Sequence, residues 1–124
     1  MDTMSINRAA KTLALNMAHA KGLRAAEAIS GRGIFIEGKR TAVIGCSEPY
    51  SNLNHGYWKD RATAQDWLTK WARKHAIDRV LFVFLKSEQA YIASPEDIAA
   101  YCDANEDGRP RVFEDKLPAE WRWA

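Results

Sequence analysis

The strongest hydrophobic pattern in the chain is a run of six apolar residues, 80–85 (Val-Leu-Phe-Val-Phe-Leu), between Arg79 and Lys86. The run is too short to cross a membrane, and its β-branched and aromatic residues are typical of a strand that is buried on both faces. We therefore predict that residues 79–86 form the central strand of a sheet and that helices cover both of its faces.

Apolar residues at three- and four-residue intervals predict amphipathic helices in residues 6–19 and 63–77. Residues 25–28 are good helix formers and predict a second short helix, or a bent continuation of the first. The sequence Ser94-Pro95-Glu96-Asp97 has the features of a helix start, with a capping serine, a proline in the first turn and acidic residues near the positive end of the helix.

Shorter strand-like segments lie on both sides of the second long helix. Residues 33–37 and 41–46 predict a β-hairpin, because Gly38 in the turn between them readily adopts positive φ. Residues 89–93 and 111–114 predict two more short strands, and residues 115–124 form a short C-terminal tail.

The predicted order of elements is α-β-β-α-β-β-α, which indicates one α/β domain, residues 1–124, with an α+β arrangement as the alternative. The helix at residues 63–77 joins two strands of one sheet, so these strands should be parallel. We predict a mixed sheet of four or five strands with helices packed on it. A chain of 124 residues is long enough for one hydrophobic core.

The composition, 47% hydrophobic and 27% charged, argues against wholesale disorder, and a net charge of +2 does not require a polyanionic partner. Residues 1–40 hold seven basic and three acidic residues, whereas residues 91–124 hold four basic and eight acidic ones. This asymmetry fits either the steering of a charged partner or two solvated faces. No signal-peptide pattern precedes the two thiols, Cys46 and Cys102, so we expect a reduced cytoplasmic protein with both thiols buried.

Residues 103–114 resemble the loop of the EF-hand calcium-binding family, which has oxygen ligands at alternate positions, a central glycine and a distal carboxylate. The side-chain ligands that this resemblance implies are Asp103, Asn105, Asp107 and Glu114. Pro110 and the neighbouring arginines depart from the family pattern. The alternative interpretation is an Asp/Asn/Gly turn that precedes a glutamate.

Glu37-Gly38-Lys39 has the Glu-x-Lys spacing of metal-dependent nucleases of the restriction-endonuclease-like fold, and the coarse order of elements is similar to part of that fold. The resemblance implies that Glu37 holds Mg²⁺ and that Lys39 approaches the scissile phosphate. The alternative is a polar hairpin turn, because the tripeptide falls in the predicted turn and Glu27 is the only acidic residue near it.

The connection formed by residues 47–62 has no usable periodicity, and long irregular connections often carry function. We predict a binding surface there, made of aromatic, amide and basic residues: Tyr50, Asn52, Asn54, His55, Tyr57, Trp58, Lys59 and Arg61. Aromatic residues beside basic ones also suit single-stranded nucleic acid, and the basic N-terminal helix is a second candidate surface.

The sequence contains no complete catalytic constellation. We therefore predict a small non-catalytic binding protein of the inhibitor or adaptor type, with a macromolecular partner, most simply a protein, and with no membrane association. Two alternatives remain open at this point, a Mg²⁺-dependent nuclease-like enzyme and a basic nucleic-acid-binding module. No cofactor is expected apart from Ca²⁺ or Mg²⁺ under these alternatives.

Overall fold

A computed structural model of the chain describes residues 3–28, 33–52, 64–103 and 111–124. Its helices are α1 (Thr3–Ala20), α2 (Ala64–Lys74) and α3 (Pro95–Asp103). Its strands are β1 (Ala25–Glu27), β2 (Ile34–Ile36), β3 (Lys39–Cys46), β4 (Tyr50–Asn52), β5 (Arg79–Phe84), β6 (Gln89–Ala93) and β7 (Arg111–Phe113). Two short 3₁₀ turns follow, Glu114–Lys116 and Ala119–Trp121.

The main sheet has five strands in the order β1-β2-β3-β5-β6. Strands β3 and β5 are parallel, from Thr41 opposite Arg79 to Cys46 opposite Phe84, and the other pairs are antiparallel. The parallel pairing across α2 and the mixed α/β sheet confirm the predicted architecture, because a chain that leaves one strand and returns beside it through a helix must re-enter in the same direction.

Strand β5 lies at the centre of the core, with Leu81, Phe82 and Val83 completely buried. Leu81 and Val83 pack on the face covered by α1, whereas Phe82 belongs to the cluster on the face covered by α2 and α3. The prediction of a strand covered on both faces is therefore confirmed. Burial of each large apolar side chain contributes about 1.5–3 kcal/mol to stability.

Helix α1 packs closely on the sheet through its alanines. Ala10, Ala14 and Ala18 are completely buried, and Gly45 in β3 lies directly beneath the helix, where an added Cβ would be 2.9 Å from the carbonyl oxygen of Ile6. Small side chains on both elements let the two backbones approach more closely than larger residues would permit.

The prediction of a second helix at residues 25–28 is wrong, because residues 25–27 form edge strand β1. Gly22, with a φ of 75°, ends α1 together with a hydrogen bond from the Leu23 amide to the Ala18 carbonyl, 2.9 Å long. The chain then pairs with β2, Ala25 opposite Ile36. Pairing with an existing hairpin outweighs the weak helical preference of three residues.

Two local predictions are confirmed in detail. The β2–β3 turn has positive φ at Glu37 (51°) and Gly38 (78°), as a two-residue hairpin turn of right-handed twist requires. The amide of Asp97 donates a hydrogen bond to the Ser94 hydroxyl at 3.1 Å, which caps α3.

The end of the chain packs against β6 and α3. The Trp123 amide donates a 2.8 Å hydrogen bond to the Ala90 carbonyl, and the ring centroids of Tyr101 and Trp121 lie 5.6 Å apart. The predicted strand at residues 111–114 exists as β7, but it pairs with β4 in a separate two-stranded ribbon. Within the described ranges, no helix has the length and apolar character needed to cross a membrane.

Candidate functional site

The two parallel strands end side by side at Cys46 and Phe84, and the β4–β7 ribbon lies next to these ends. In open α/β sheets, ligands bind in crevices at the carboxyl ends of the strands. A cavity of about 540 Å³ occupies this position. We call it the carboxyl-end pocket, and its lining residues are Pro49, Tyr50, Gln89, Tyr91, Phe113, Glu114 and Asp115.

Tyr50 and Phe113 form the aromatic part of the carboxyl-end pocket. They are direct partners in the β4–β7 ribbon, with ring centroids 6.4 Å apart and ring planes tilted by 46°. The Glu114 amide donates a 2.9 Å hydrogen bond to the Pro49 carbonyl, which extends the pairing by one residue. The ribbon therefore fixes the two rings relative to each other.

Tyr50 is 44% exposed, and Met4, at the start of α1, is the other exposed large hydrophobic side chain in the described parts of the chain. An exposed aromatic side chain with a fixed backbone loses little conformational entropy when a partner covers it. Tyr50 is thus well placed for contact with a second molecule.

The charged groups of the carboxyl-end pocket are two adjacent carboxylates. Glu114 accepts a hydrogen bond from the Ser87 hydroxyl, which orients its side chain. Asp115 is exposed, and no described basic group forms an ion pair with it. Two basic side chains of this region have other contacts: Lys116 lies over the Phe113 ring, 5.2 Å from its centroid, and Lys86 is bound to Glu48 at 2.9 Å.

A buried thiol lies at the end of β3, close to this site. The pKa of Cys46 is raised from 9.0 to about 12, mainly by burial; a hydrogen bond with Ser51 acts in the opposite direction, and the Glu114 charge adds to the rise. Burial, with a smaller effect from Asp103, also raises the pKa of Cys102 to about 12. The nucleophilic form of cysteine is the thiolate, so neither thiol is activated at neutral pH. Both are free and buried, which confirms the prediction for these residues.

The binding residues predicted from the sequence are only partly described. Tyr50 lines the carboxyl-end pocket, and the backbone of Asn52 pairs with Arg111 at the other end of the same ribbon. The other predicted residues, Asn54, His55, Tyr57, Trp58, Lys59 and Arg61, lie outside the described residues.

Sequence reasoning missed most of the pocket, namely Gln89, Tyr91, Phe113 and Asp115, and gave Glu114 a different role. Residues 111–114 were expected to form a strand, but nothing in their pattern indicates which strand they pair with. The one available signal was the adjacency of Phe113 to two acidic residues.

Two of the proposed calcium ligands can be located. Asp103 is exposed at the end of α3, and Glu114 begins the first 3₁₀ turn, with its carboxylate on Ser87. Asn105 and Asp107 lie outside the described residues. Among the residues that are described, no group of three His, Cys, Asp or Glu side chains is gathered as a metal would require.

Glu37 and Lys39 lie at the opposite end of the sheet from the carboxyl-end pocket. The Glu37 carboxylate accepts a 2.7 Å hydrogen bond from the Arg24 amide, on the β1 side of the hairpin. On the other side of the hairpin, the Asp78 carboxylate accepts a 2.9 Å hydrogen bond from the Arg40 amide. Each carboxylate is thus turned towards a different neighbouring strand, and Lys39 is exposed at the start of β3.

The second candidate surface, the N-terminal helix, carries two basic residues. Lys11 pairs with Glu27 of β1 at 3.7 Å, and Arg8 is exposed. Arg8 lies in a shallow groove of about 520 Å³ whose other lining residues include Thr12, Leu13 and Glu88. This surface therefore presents one basic group beside an acidic one, which is a weak pattern for binding phosphates.

No protein-family model, curated protein or solved structure matches this chain.

Proposed function

We propose that the chain is a non-catalytic binding protein of the inhibitor or adaptor type, and that it binds a protein partner through the carboxyl-end pocket and the connection that follows β4. The observation that carries this proposal is the exposed ring of Tyr50 at the rim of a cavity located at the carboxyl ends of two parallel strands. We further propose a reducing, cytoplasmic environment, which suits the two free thiols.

The geometry of Tyr50 supports a role in partner binding. Interface hot spots are enriched in tyrosine, tryptophan and arginine, and they contribute most when a rigid side chain fits a pocket on the partner. Tyr50 is supported on one side by Phe113, and its backbone is paired within the ribbon. The other residues predicted to bind, from Asn54 to Arg61, follow β4 in the sequence and are part of this proposal.

The charges of the carboxyl-end pocket favour a protein over a nucleic acid. Nucleic-acid sites neutralise phosphates with lysine and arginine. The charged residues that line this pocket are instead Glu114 and Asp115, which would repel a phosphate backbone. Tyr50 next to carboxylates is more compatible with the surface of a protein.

The test compares the wild-type protein with Tyr50→Ala and with Met4→Ala, a matched control because both residues are exposed hydrophobic side chains. Each protein is immobilised and exposed to extract of the source organism, with and without nuclease treatment, and the retained partner is then purified for calorimetry. We expect nuclease-resistant binding that Tyr50→Ala weakens by about tenfold or more and that Met4→Ala leaves unchanged. A partner that binds Tyr50→Ala as tightly as the wild type, or that is lost after nuclease treatment, would contradict the proposal.

A further inference from the structure

We infer that the carboxyl-end pocket accepts a basic side chain, lysine or arginine, from a segment of the partner protein. This inference rests on the proposed function and specifies the chemistry of the partner. Its basis is the combination of a cavity of about 540 Å³, two carboxylates, and polar and aromatic groups that face the same space.

The electrostatics of the pocket select a cation. Both charged lining residues are acidic, and Asp115 has no ion-pair partner in the described part of the chain. A basic side chain between Asp115 and Glu114 would form charge-assisted hydrogen bonds, which are the stronger class of hydrogen bond. An acidic or phosphorylated segment would meet like charges at the same place.

Uncharged polar groups complete the lining. Tyr91 is only 8% exposed, yet it lines the cavity. Gln89 lines the cavity beside it and offers a side-chain carbonyl oxygen. The Tyr91 hydroxyl and the Gln89 carbonyl oxygen can both accept a hydrogen bond from a cationic side chain.

The aromatic rings suit the same class of ligand. Cations already lie over two rings of this region, Lys116 over Phe113 at 5.2 Å and Arg122 over Tyr91 at 5.7 Å. The exposed Tyr50 ring has no such cation from the described residues. The face of an aromatic ring attracts ammonium and guanidinium groups, and arginine also stacks on it.

The test uses three blocked tripeptides, acetyl-Gly-Xaa-Gly-amide, in which Xaa is arginine, lysine or citrulline, the neutral analogue of arginine. Binding to the full chain is followed by amide chemical shifts at constant ionic strength. We expect the arginine and lysine peptides to shift the signals of Tyr50, Gln89 and Phe113 in a saturable way, and citrulline to bind at least about fivefold more weakly. Equal binding of citrulline, or no saturable shifts at these residues, would overturn the inference.

A charge variant with a matched control sharpens the assignment. Asp115→Asn should weaken binding of the arginine peptide about fivefold, the upper end for one exposed ion pair, and Asp115→Lys should abolish it. Glu96→Gln removes one exposed acidic group from the first turn of α3, at the other end of the sheet, and should leave binding unchanged. Equal losses in Asp115→Asn and Glu96→Gln would show only a general effect of net charge and would refute the site.

The failure of this inference can be distinguished from the failure of the proposed function. If the arginine and lysine peptides do not bind but capture of the partner still depends on Tyr50, the surface binds a protein through other chemistry. In that case only the inference of a basic side chain in the pocket is wrong. If the arginine peptide binds as described but capture is independent of Tyr50, the pocket is real and the proposed partner surface is wrong.

Discussion

Replacing Gly45 with alanine tests how closely α1 packs on the sheet. The new Cβ would lie 2.8 Å from the Cβ of Ala10, 2.9 Å from the carbonyl oxygen of Ile6 and 3.0 Å from the Cγ2 atom of Ile6. Carbon atoms in contact prefer separations of about 3.5–4.0 Å, so the helix must move away from β3 by roughly 0.5–1 Å. One of the obstructing atoms belongs to the backbone, so a rotamer change does not relieve the clash.

The expected cost follows from two opposing effects. Overpacking of a well-packed contact costs about 1–3 kcal/mol, whereas replacing glycine with alanine stabilises by about 0.4–1 kcal/mol through the unfolded chain, so we expect a net loss of about 1–2 kcal/mol. Gly45→Val, with a larger side chain, should lose more. The free energy of unfolding is measured in urea, and the displacement of α1 is followed by the amide chemical shifts of Ala10 and Ala14.

Gly38→Ala is the matched control, because Gly38 has a φ of 78° but nothing within 4 Å of an added Cβ. Gly38→Ala should lower the free energy of unfolding by about 1–2 kcal/mol, because alanine is strained in the left-handed conformation, and it should leave the amide chemical shifts of α1 unchanged. If the free energy of unfolding of Gly45→Ala is within about 0.5 kcal/mol of the wild-type value, or if the amide chemical shifts of α1 do not change, the close contact between α1 and β3 is wrong.

Three further predictions concern the thiols and the α3 cap. The rise in the pKa of Cys46 and Cys102 from 9.0 to about 12 lowers their thiolate fraction about a thousandfold. Iodoacetamide at pH 8 should therefore modify both thiols in urea but not in the folded protein, as measured by mass spectrometry. Modification of the folded protein at the rate of the unfolded chain would contradict this prediction. Between pH 9 and pH 12 the folded thiols keep protons that the unfolded thiols lose, so the free energy of unfolding should fall as the pH rises through this range. In urea titrations at pH 8 and pH 10, the double variant Cys46→Ala/Cys102→Ala should lose less stability between the two pH values than the wild type. An equal loss in both proteins would argue against the raised pKa values. Ser94→Ala should lower the free energy of unfolding in urea by about 1 kcal/mol, and Ser94→Asp should lower it much less. Equal decreases in the two variants would mean that the Ser94 hydroxyl does not cap α3.

The parts of the fold that were predictable are those encoded by local signals. Strand β5 is marked by its uninterrupted apolar run, the β2–β3 hairpin by Gly38 in its turn, and the start of α3 by Ser94 followed by proline. The parallel pairing of β3 with β5 then follows from the helix between them. Strand β1 was missed because Ala-Ala-Glu carries no strand signal of its own and acquires its conformation from pairing with β2.

The carboxyl-end pocket depends on contacts between residues that are distant in sequence. Tyr50 was identified because it lies in a long irregular connection, residues 47–62, which is a local property. Gln89 and Tyr91 belong to a strand that was predicted correctly, but only the fold brings that strand next to the β4–β7 ribbon. The acidic residues after Phe113 were interpreted through a local motif, as part of a calcium loop, and their position beside Tyr50 could not be inferred from it.

The register of the β4–β7 ribbon is the step that connects the fold to the proposed site. Side chains alternate between the two faces of a strand, so a slip of one residue would place Ser51, rather than Tyr50, opposite Phe113. Strands of three residues have too few alternating positions to specify such a register by hydrophobic pattern alone. Here the register is supported by the hydrogen bond from the Glu114 amide to the Pro49 carbonyl, and the Ser87 hydroxyl donates a hydrogen bond to the Glu114 carboxylate. The same residue that helps to align the ribbon therefore also supplies one of the two carboxylates of the pocket, which couples the position of the exposed tyrosine to the charge that would attract a basic partner.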